Sequence, residues 1–531
     1  MKLIENIFFS TSSPKIEKWI ILLLFCVLWF GVFQLTGILT SGFHLTDDHE
    51  IVLFNDLLKN QSVFSLIEEQ VKIDLATRFR PTYYAHRILV TSLIGTNQIA
   101  WAIYYCFLGV FTSFFLYLAL RKVGFTLLES LLFPLFAFLG EQTAVWWRLG
   151  TAETLGMLFA SLAMYFASSS YNQKNTWVAA VLFLCFAILA SLSKESFILF
   201  LPALLFWKIW VERQKNWQKA IKTNLLFVLF LGIVALIEIY FIQSQTNAQN
   251  TIFSVSNAED DSFRNRILLY MLNKVLTFNQ LHILFIVFVG ILAFAISDDF
   301  KNAKHRLTLV LKDFFPILIF ILLILIPQFV LYSRTDLYER YLIPTTISLG
   351  FLAVALIQLI CKQDFIKKYL KVAFCLLGLA GLYLPLGKVY FKGKDFAVEG
   401  ANTQSFLQFI KSVTTEKSGI LLLSEPVQFN EWTHSFYRFM QSSLYQRKNI
   451  YLQLYTIPNP NVPIAVAEEN KAILSQVFRN QLFDFEKDSA NVKCIAVLPL
   501  KELEEKLIRE KQTWLKEFGK NRFGNFVIYS R

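Results

Sequence analysis

Residues 19–39 read WIILLLFCVLWFGVFQLTGIL, an apolar stretch without a charged residue. A helix of about 20 such residues is long enough to cross the ~30 Å hydrocarbon core of a bilayer. The preceding residues are polar and include Lys2, Lys15 and Lys18, and no small-residue cleavage site follows the stretch. A secretory signal peptide has a shorter apolar core than this. The stretch therefore predicts an uncleaved first transmembrane helix.

Similar apolar runs recur along the chain and determine its class. Of the 531 residues, 55% are hydrophobic and only 17% are charged, whereas about a quarter of the residues in a soluble protein are charged. We predict a polytopic α-helical membrane protein with about 11 spans. The predicted spans are 19–39, 98–120, 125–140, 149–168, 176–193, 196–211, 223–243, 280–297, 314–332, 341–361 and 370–387.

The charges of the loops predict the orientation of these spans. Lysines and arginines concentrate in alternate loops, namely 121–124, 169–175, 212–222, 298–313 and 362–369. The positive-inside rule assigns such loops to the cytoplasm, so the N-terminus is cytoplasmic and an odd number of spans places the C-terminus outside. We expect an integral protein of the bacterial inner or plasma membrane. Topology thus explains the net charge of +12, and no nucleic-acid partner is predicted.

The segments between and after the spans complete the predicted organisation. Residues 40–97 and 244–279 form two long outer loops of the transmembrane domain, which we assign to residues 1–390. From about Lys388 onwards, strand-like runs alternate with helix-like runs. This alternation predicts a small α/β domain with a partly parallel sheet. We assign this extracytoplasmic domain to residues 391–531.

The acidic segment Thr46-Asp47-Asp48-His49-Glu50 follows the first span on its predicted outer side. Neighbouring carboxylates raise each other's proton affinity, so that one of them can serve as a base. Asp47 and Asp48 are therefore candidate catalytic residues. The alternative interpretation is a solvated turn in which one aspartate caps the helix that follows.

Arginines and tyrosines cluster in the segment 78–87, which reads RFRPTYYAHR, on the same predicted side. The guanidinium groups of Arg80 and Arg87 have the fork geometry that binds phosphate oxygens. Interfacial anchoring beside an aromatic belt is the alternative.

Further charged candidates lie at three other outer turns. They are Glu141, Arg148, Glu153, Lys194, Glu195 and Arg340. Glu153 falls within an apolar run, where an acid is costly and marks a functional candidate, although a structural pair with Arg148 is the alternative. Lys194 could hold a lipid phosphate or belong to a tight turn, and Arg340 could bind phosphate or anchor a helix end.

Together these residues favour one outer site. The positive-inside rule predicts few cations outside, yet arginines and a lysine recur there beside acids. An outer site for an anionic, membrane-bound substrate explains both kinds of charge. No Cys or His spacing typical of a metal site is present. No cofactor is therefore predicted, and a divalent cation is compatible with the acidic pair but not indicated by any motif.

The order of the motifs resembles that of the GT-C superfamily of membrane glycosyltransferases, in its protein O-mannosyltransferase-like and aminoarabinose transferase-like branches. The matching features are the acidic pair after the first span, RFRP at 78–81, Lys194-Glu195, and ERYLIP at 339–344. The resemblance covers roughly residues 15–390. It implies a polyprenyl-phosphate-linked sugar as donor and a glycan, lipid or protein acceptor, whose hydroxyl is presented outside the cytoplasm.

The resemblance also implies roles for individual residues. Asp47 would be the general base and Asp48 its neighbour, or the base if the register slips by one. The family pair is often Asp-Glu, whereas here Asp-Asp precedes His49, which leaves the base and any metal role open.

The chemistry then follows from physical principles. The base accepts the acceptor's proton as the oxygen attacks the anomeric carbon, and fixed cations stabilise the departing phosphate. The candidates for these cations are Arg80, Lys194 and Arg340, with Arg148 and Arg87 behind them. Attack in a single step inverts the anomeric configuration.

Two other classes remain open from the sequence. A transporter or lipid-linked glycan flippase needs ionisable groups near the middle of the membrane and often has inverted repeats. The central stretches here are mostly uncharged, and we find no repeat. A glycan polymerase or ligase would share the donor chemistry, although it need not have acids directly after the first span.

Overall fold

The structure is a computed structural model that describes residues 15–75, 78–169, 176–213, 216–245, 261–297, 302–332, 343–457, 464–479 and 481–531. The candidate Arg340 and most of the segment 339–344 lie outside these residues. The described part of the chain is mainly helical, and a small sheet occurs only near the C-terminal end.

The described residues before the sheet form a series of helices. They are α1 Lys15–Thr36, α2 His49–Leu57, α3 Val63–Asp74, α4 Pro81–Ile94, α5 Gln98–Val123, α6 Leu127–Phe138, α7 Ala144–Trp147, α8 Ala152–Ser169, α9 Thr176–Ser191, α10 Glu195–Ile198, α11 Leu201–Glu212, α12 Trp217–Gln245, α13 Asp261–Thr277, α14 Leu281–Ser297, α15 Ala303–Tyr332, α16 Ile343–Lys362, α17 Lys368–Ala380 and α18 Tyr383–Val413. Short 3₁₀ turns occupy Ile38–Thr40, Glu141–Thr143 and Phe278–Gln280.

The helices confirm a polytopic membrane protein. Within the described residues, seven helices are long and apolar enough to cross a membrane. The number is eight if Glu141–Trp147 and Ala152–Ser169, which are bent by 100° from each other, form one broken span. Each of the predicted apolar segments overlaps one or two helices in the described part of the chain, although several of these helices are short. The total of about 11 spans stays a prediction from the hydropathy criterion.

The first span is anchored in the bundle by close packing against α5. The Trp29 indole donates a hydrogen bond to the Ser113 hydroxyl over 2.9 Å. A Cβ atom on Gly109 would lie 2.9 Å from the Trp29 ring, closer than carbon atoms normally approach. Gly109 therefore permits α1 and α5 to meet. This packing fixes the point at which the chain leaves α1 and enters the acidic segment.

The C-terminal domain has the predicted mixture of strands and helices. Its elements are β1 Gly419–Ser424, α19 Asn430–Gln441, β2 Ile450–Leu454, α20 Ile464–Val477, α21 Phe485–Asp488, β3 Val492–Val497, α22 Lys501–Leu515, β4 Gly519–Phe523 and β5 Phe526–Ser530. The strand order is β2-β1-β3-β5-β4, with β1 parallel to β2 and to β3, and β5 antiparallel to β3 and to β4. The predicted partly parallel sheet is therefore present, whereas β4 was not anticipated.

The helix α18 connects the two parts of the chain. It runs without a break across residues 390 and 391, where the sequence placed the domain boundary, and the sheet begins only at Gly419. The same helix packs on the loop before the acidic segment. The ring of His44 stacks on Phe396 with centroids 3.7 Å apart, and Nε2 of His44 lies 2.9 Å from the Phe396 carbonyl oxygen.

Candidate functional site

Asp47 lies in direct contact with the turn between α7 and α8. A Cβ atom on Gly150 would lie only 2.0 Å from Cβ of Asp47 and 3.2 Å from its Cα. Only glycine leaves room for the two chain segments to approach so closely. The segment that follows the first span is therefore fitted against the turn that carries Arg148 and leads to Glu153. The structure thus brings together candidates that are about 100 positions apart in the sequence.

Arg87 fixes the backbone on both sides of this contact. Its guanidinium donates one hydrogen bond to the Asp47 carbonyl over 2.7 Å and another to the Leu149 carbonyl. Its Nε also lies 2.9 Å from the Glu50 carboxylate. Burial opposes its charge, but Tyr83 and Glu50 raise the pKa of Arg87 far above its usual value. Arg87 is only 1% exposed, so its contacts are with the protein chain itself.

Glu50, the third acid of the segment, belongs to the same network. The Tyr83 hydroxyl lies 2.8 Å from the Glu50 carboxylate and 3.0 Å from the Gly150 carbonyl, and it can donate its single proton to one of them at a time. Burial raises the pKa of Tyr83 well above its usual value, so the hydroxyl stays protonated as a donor. Neither Glu50 nor Tyr83 was singled out from the sequence.

Asp48 has a different environment from Asp47. It is 2% exposed, and its carboxylate accepts a hydrogen bond from the His44 backbone N–H over 2.9 Å. The His44 ring nitrogen Nδ1 lies 3.6 Å from the same oxygen. Asp48 therefore stabilises the bend of the loop from the inside, whereas Asp47 is half-buried against the Gly150 turn.

Arg80 forms a bidentate pair with Asp74, which was not among the predicted site residues. Its guanidinium donates to the two carboxylate oxygens of Asp74 over 2.6 and 3.3 Å, and its backbone N–H donates to Asp74 over 3.1 Å. Burial opposes its charge, but Tyr84 and Asp74 raise the pKa of Arg80 well above its usual value. The available signal was an acid in the last position of the helix α3, six residues before the arginine.

Lys194 and Glu153 form a buried ion pair between the start of α8 and the turn before α10. Both are largely inaccessible, with 9% and 3% of their surfaces exposed. The neighbouring Glu195 lies close enough to Arg80 to help raise its pKa, and its buried Oε1 has no hydrogen-bond partner among the residues that the structure describes. The candidates from segments 78–87, 148–153 and 194–195 are therefore neighbours in space.

Arg148 differs from the other arginines of the site. It is half-buried in the turn that contacts Asp47. Its guanidinium forms no hydrogen bond or ion pair with the described residues, and only its backbone carbonyl accepts a bond, from Thr151. The structural pair of Arg148 with Glu153, which was the alternative interpretation of the sequence, is absent among these residues, and Glu153 pairs with Lys194 instead.

Glu141 lies at a separate position, on the wall of a large cavity. Its carboxylate accepts hydrogen bonds from Lys274 over 2.8 Å and from Lys388 over 3.2 Å. The cavity has a volume of about 930 Å³ and is lined mainly by apolar residues of α1, α16, α18 and the Phe278–Gln280 turn. It combines an apolar interior with charged groups on one wall.

The C-terminal domain reaches the acidic segment directly. Ser435 of α19 donates a hydrogen bond to the Thr46 carbonyl, and its hydroxyl lies 2.7 Å from Nδ1 of His49. The rings of His49 and His434 have centroids 5.2 Å apart. Burial lowers the pKa of both histidines, that of His434 to about 3. No feature of the sequence indicated that these residues meet.

No metal centre is evident in the part of the chain that the structure describes. Within those ranges no group of three or more His, Cys, Asp or Glu side chains is placed to hold a metal ion. A divalent cation, which the sequence left open without indicating it, has no such ligand set among the described residues.

The fold and the site define an integral membrane protein with a buried, highly charged site where the helical bundle meets a small α/β domain. No protein-family model matches the chain, and no curated protein matches it by sequence. Solved structures do show similarity in fold.

One similar structure is ArnT from Cupriavidus metallidurans bound to undecaprenyl phosphate. It has a TM-score of 0.49 and 13% identity over 96% of this chain and 98% of that chain. A second is the archaeal oligosaccharyltransferase AglB from Archaeoglobus fulgidus, in complex with an inhibitory peptide and a dolichol-phosphate. Its TM-score is 0.43, with 13% identity over 97% of this chain and 74% of that chain.

Proposed function

We propose that this protein is a membrane glycosyltransferase of the GT-C type. It transfers a sugar from a polyprenyl-phosphate donor to an acceptor hydroxyl on the extracytoplasmic side. The observation that carries the proposal is the contact between Asp47 and Gly150, because it joins a carboxylate to the segment that bears Arg148 and Glu153. Glu153 pairs with Lys194, so this contact links the Asp47 carboxylate to the cations Arg148 and Lys194 in one site.

Asp47 is the general base of the proposed reaction. Of the two neighbouring acids, Asp48 accepts a hydrogen bond from the His44 backbone N–H in the interior of the loop, and Glu50 pairs with Arg87. Asp47 is instead half-buried where the α7–α8 turn meets the acidic segment. A base must reach the proton that it accepts, and this position suits that task better than the interior position of Asp48.

The cations of the site divide into two groups. Arg87 binds two backbone carbonyls and Arg80 is held in a bidentate pair with Asp74, so both shape the site. Lys194 and Arg148 are better placed to interact with a phosphate. Arg148 forms no hydrogen bond or ion pair with the described residues, and the Lys194 ammonium can exchange its bond to Glu153 for one to a phosphate oxygen.

The reaction balances without a further reactant. The acceptor oxygen forms a bond to the anomeric carbon while Asp47 takes the acceptor's proton, and the bond from that carbon to the phosphate oxygen breaks. The electron pair leaves with the lipid phosphate, where Lys194 and Arg148 stabilise the growing charge. Direct displacement inverts the anomeric configuration.

A lipid-borne substrate is also compatible with the large cavity beside Glu141. An apolar cavity of about 930 Å³ accommodates part of an isoprenoid or acyl chain, because such chains gain about 0.8 kcal/mol for each buried methylene group. The lysines around Glu141 could lie near the anionic end of such a chain.

The test compares Asp47→Asn with Asp48→Asn in membranes supplied with polyprenyl-phosphate sugars and candidate acceptors. Asp47→Asn should lower the turnover at least about a hundredfold, the typical contribution of a positioned base. Asp48→Asn should retain most activity, because an amide oxygen can still accept the bond from the His44 N–H. Transfer by Asp47→Asn at the wild-type rate would exclude Asp47 as the base.

A further inference from the structure

The two peptide groups that flank Asp47 are held from opposite sides. Arg87 of α4 donates to the Asp47 carbonyl. The preceding carbonyl, that of Thr46, accepts a hydrogen bond from the Ser435 hydroxyl of the C-terminal domain. Its oxygen also lies 2.8 Å from Nδ1 of His49. The direction of the Asp47 side chain follows from these two peptide planes, because fixing both of them fixes the backbone torsions between them.

The geometry also determines where the protons of this cluster lie. A carbonyl oxygen can only accept hydrogen bonds, so the Thr46 carbonyl requires His49 to carry its proton on Nδ1. The Ser435 hydroxyl then donates a hydrogen bond to the same carbonyl and can accept one from the Nδ1–H of His49. The Thr46 carbonyl thus has two donors, one from its own segment and one from about 390 residues further along the chain.

We propose that Ser435 is a positioning residue for Asp47, through which the docked C-terminal domain holds the acidic segment in its active geometry. This inference rests on the function proposed above. Ser435 is fully buried, and its helix α19 packs on α2, which begins at His49. The C-terminal domain is accordingly a part of the site.

The interface supplies a matched control at Ser443. This serine also joins the C-terminal domain to α2, because its backbone N–H donates to Asp56 over 2.7 Å and its hydroxyl accepts from Lys59 over 2.9 Å. Its contacts lie at the opposite end of α2 from Asp47. Ser443→Ala therefore removes docking bonds without touching the peptide before Asp47.

The experiment uses the full-length protein in nanodiscs with Ser435→Ala, Ser435→Cys and Ser443→Ala. Hydrogen exchange is measured over residues 44–52, and kcat and KM are measured with the lipid-linked donor. Ser435→Ala should raise the exchange rate over 44–52 and lower kcat, each by about tenfold, which is the typical effect of one hydrogen bond. The KM for the donor should change less than twofold. Ser435→Cys, which retains a weak donor, should give intermediate values.

Ser443→Ala should leave kcat and the exchange over 44–52 at the wild-type level. Equal effects of Ser435→Ala and Ser443→Ala would overturn the proposal, as would faster exchange in Ser435→Ala with unchanged kcat. A wild-type protein that transfers no sugar would contradict the proposed function instead. The exchange comparison between the two serine variants would then still decide whether Ser435 holds the segment.

Discussion

Gly150→Ala should displace the proposed base without removing any functional group. The added methyl carbon would lie 2.0 Å from Cβ and 3.0 Å from Cγ of Asp47. Carbon atoms in contact are separated by about 3.5–4 Å, so the two segments must move apart by roughly 1.5 Å. A displacement of about 1 Å at a reacting group costs about a hundredfold in rate. We therefore expect a fall in kcat of that order.

The assay measures sugar transfer from the lipid-linked donor, together with the thermal unfolding of the same sample. Overpacking of this kind destabilises a protein by about 1–3 kcal/mol, so Gly150→Ala should remain folded at assay temperature. Gly31→Ala on the first span is the matched control, because no described atom outside the neighbouring helix backbone lies within 4 Å of the added methyl group. A folded Gly150→Ala variant with kcat within threefold of wild type would refute the proposed role of the Asp47–Gly150 contact.

Three further predictions test other parts of the site. Glu153→Gln should lower thermal stability by about 3–5 kcal/mol, because it removes the carboxylate that pairs with the buried Lys194 ammonium; an unchanged melting temperature would contradict the buried pair. Arg148→Ala should leave the melting temperature unchanged and raise the KM for the donor about tenfold; a loss of stability instead would indicate a structural role. Burial lowers the pKa of His434 to about 3, so its stabilising contribution is complete above pH 6.5 and is lost as the pH falls towards 3. The loss of stability between pH 7.5 and pH 5.5 should therefore be smaller by about 1 kcal/mol in His434→Gln than in the wild type, as measured by melting at both pH values.

The sequence predicted the helices of the bundle because the length and hydropathy of each apolar run indicate a helix that crosses the membrane. The C-terminal strands were predicted for a similar reason, since short β-branched and apolar runs between polar segments favour strands. The strand β4 was missed because its sequence, GKNRF, is mostly polar, and this edge strand is held by pairing with β5. Local composition therefore predicted the four strands that bury their own side chains and missed the strand that depends on pairing with its neighbour.

The candidate site could be predicted only as a set of residue types. Arg87 was chosen as a phosphate ligand, but its donors contact carbonyl groups 40 and 62 positions away, and any residue can provide a carbonyl. Ser435 carries no signal in the sequence for the same reason, because its partner is the backbone of Thr46. Asp74 was recognisable in principle, since an acid near a predicted arginine site is a candidate partner. Contacts between side chains are thus more predictable than contacts to the backbone.

The pairing of charges has a consequence for the order in which a donor would bind. Most of the charged candidates already hold partners of opposite sign. The pairs are Arg80–Asp74, Arg87–Glu50, Lys194–Glu153 and Lys274 and Lys388 with Glu141. Such pairing offsets the large cost of burying single charges. A phosphate reaching Arg148 need break no pair among the described residues, whereas reaching Lys194 requires the ammonium to leave Glu153. The contact between the phosphate and Arg148 would therefore govern donor binding. Lys194 would exchange Glu153 for the phosphate as negative charge grows on the leaving group, and stabilising that charge in the transition state lowers the barrier most.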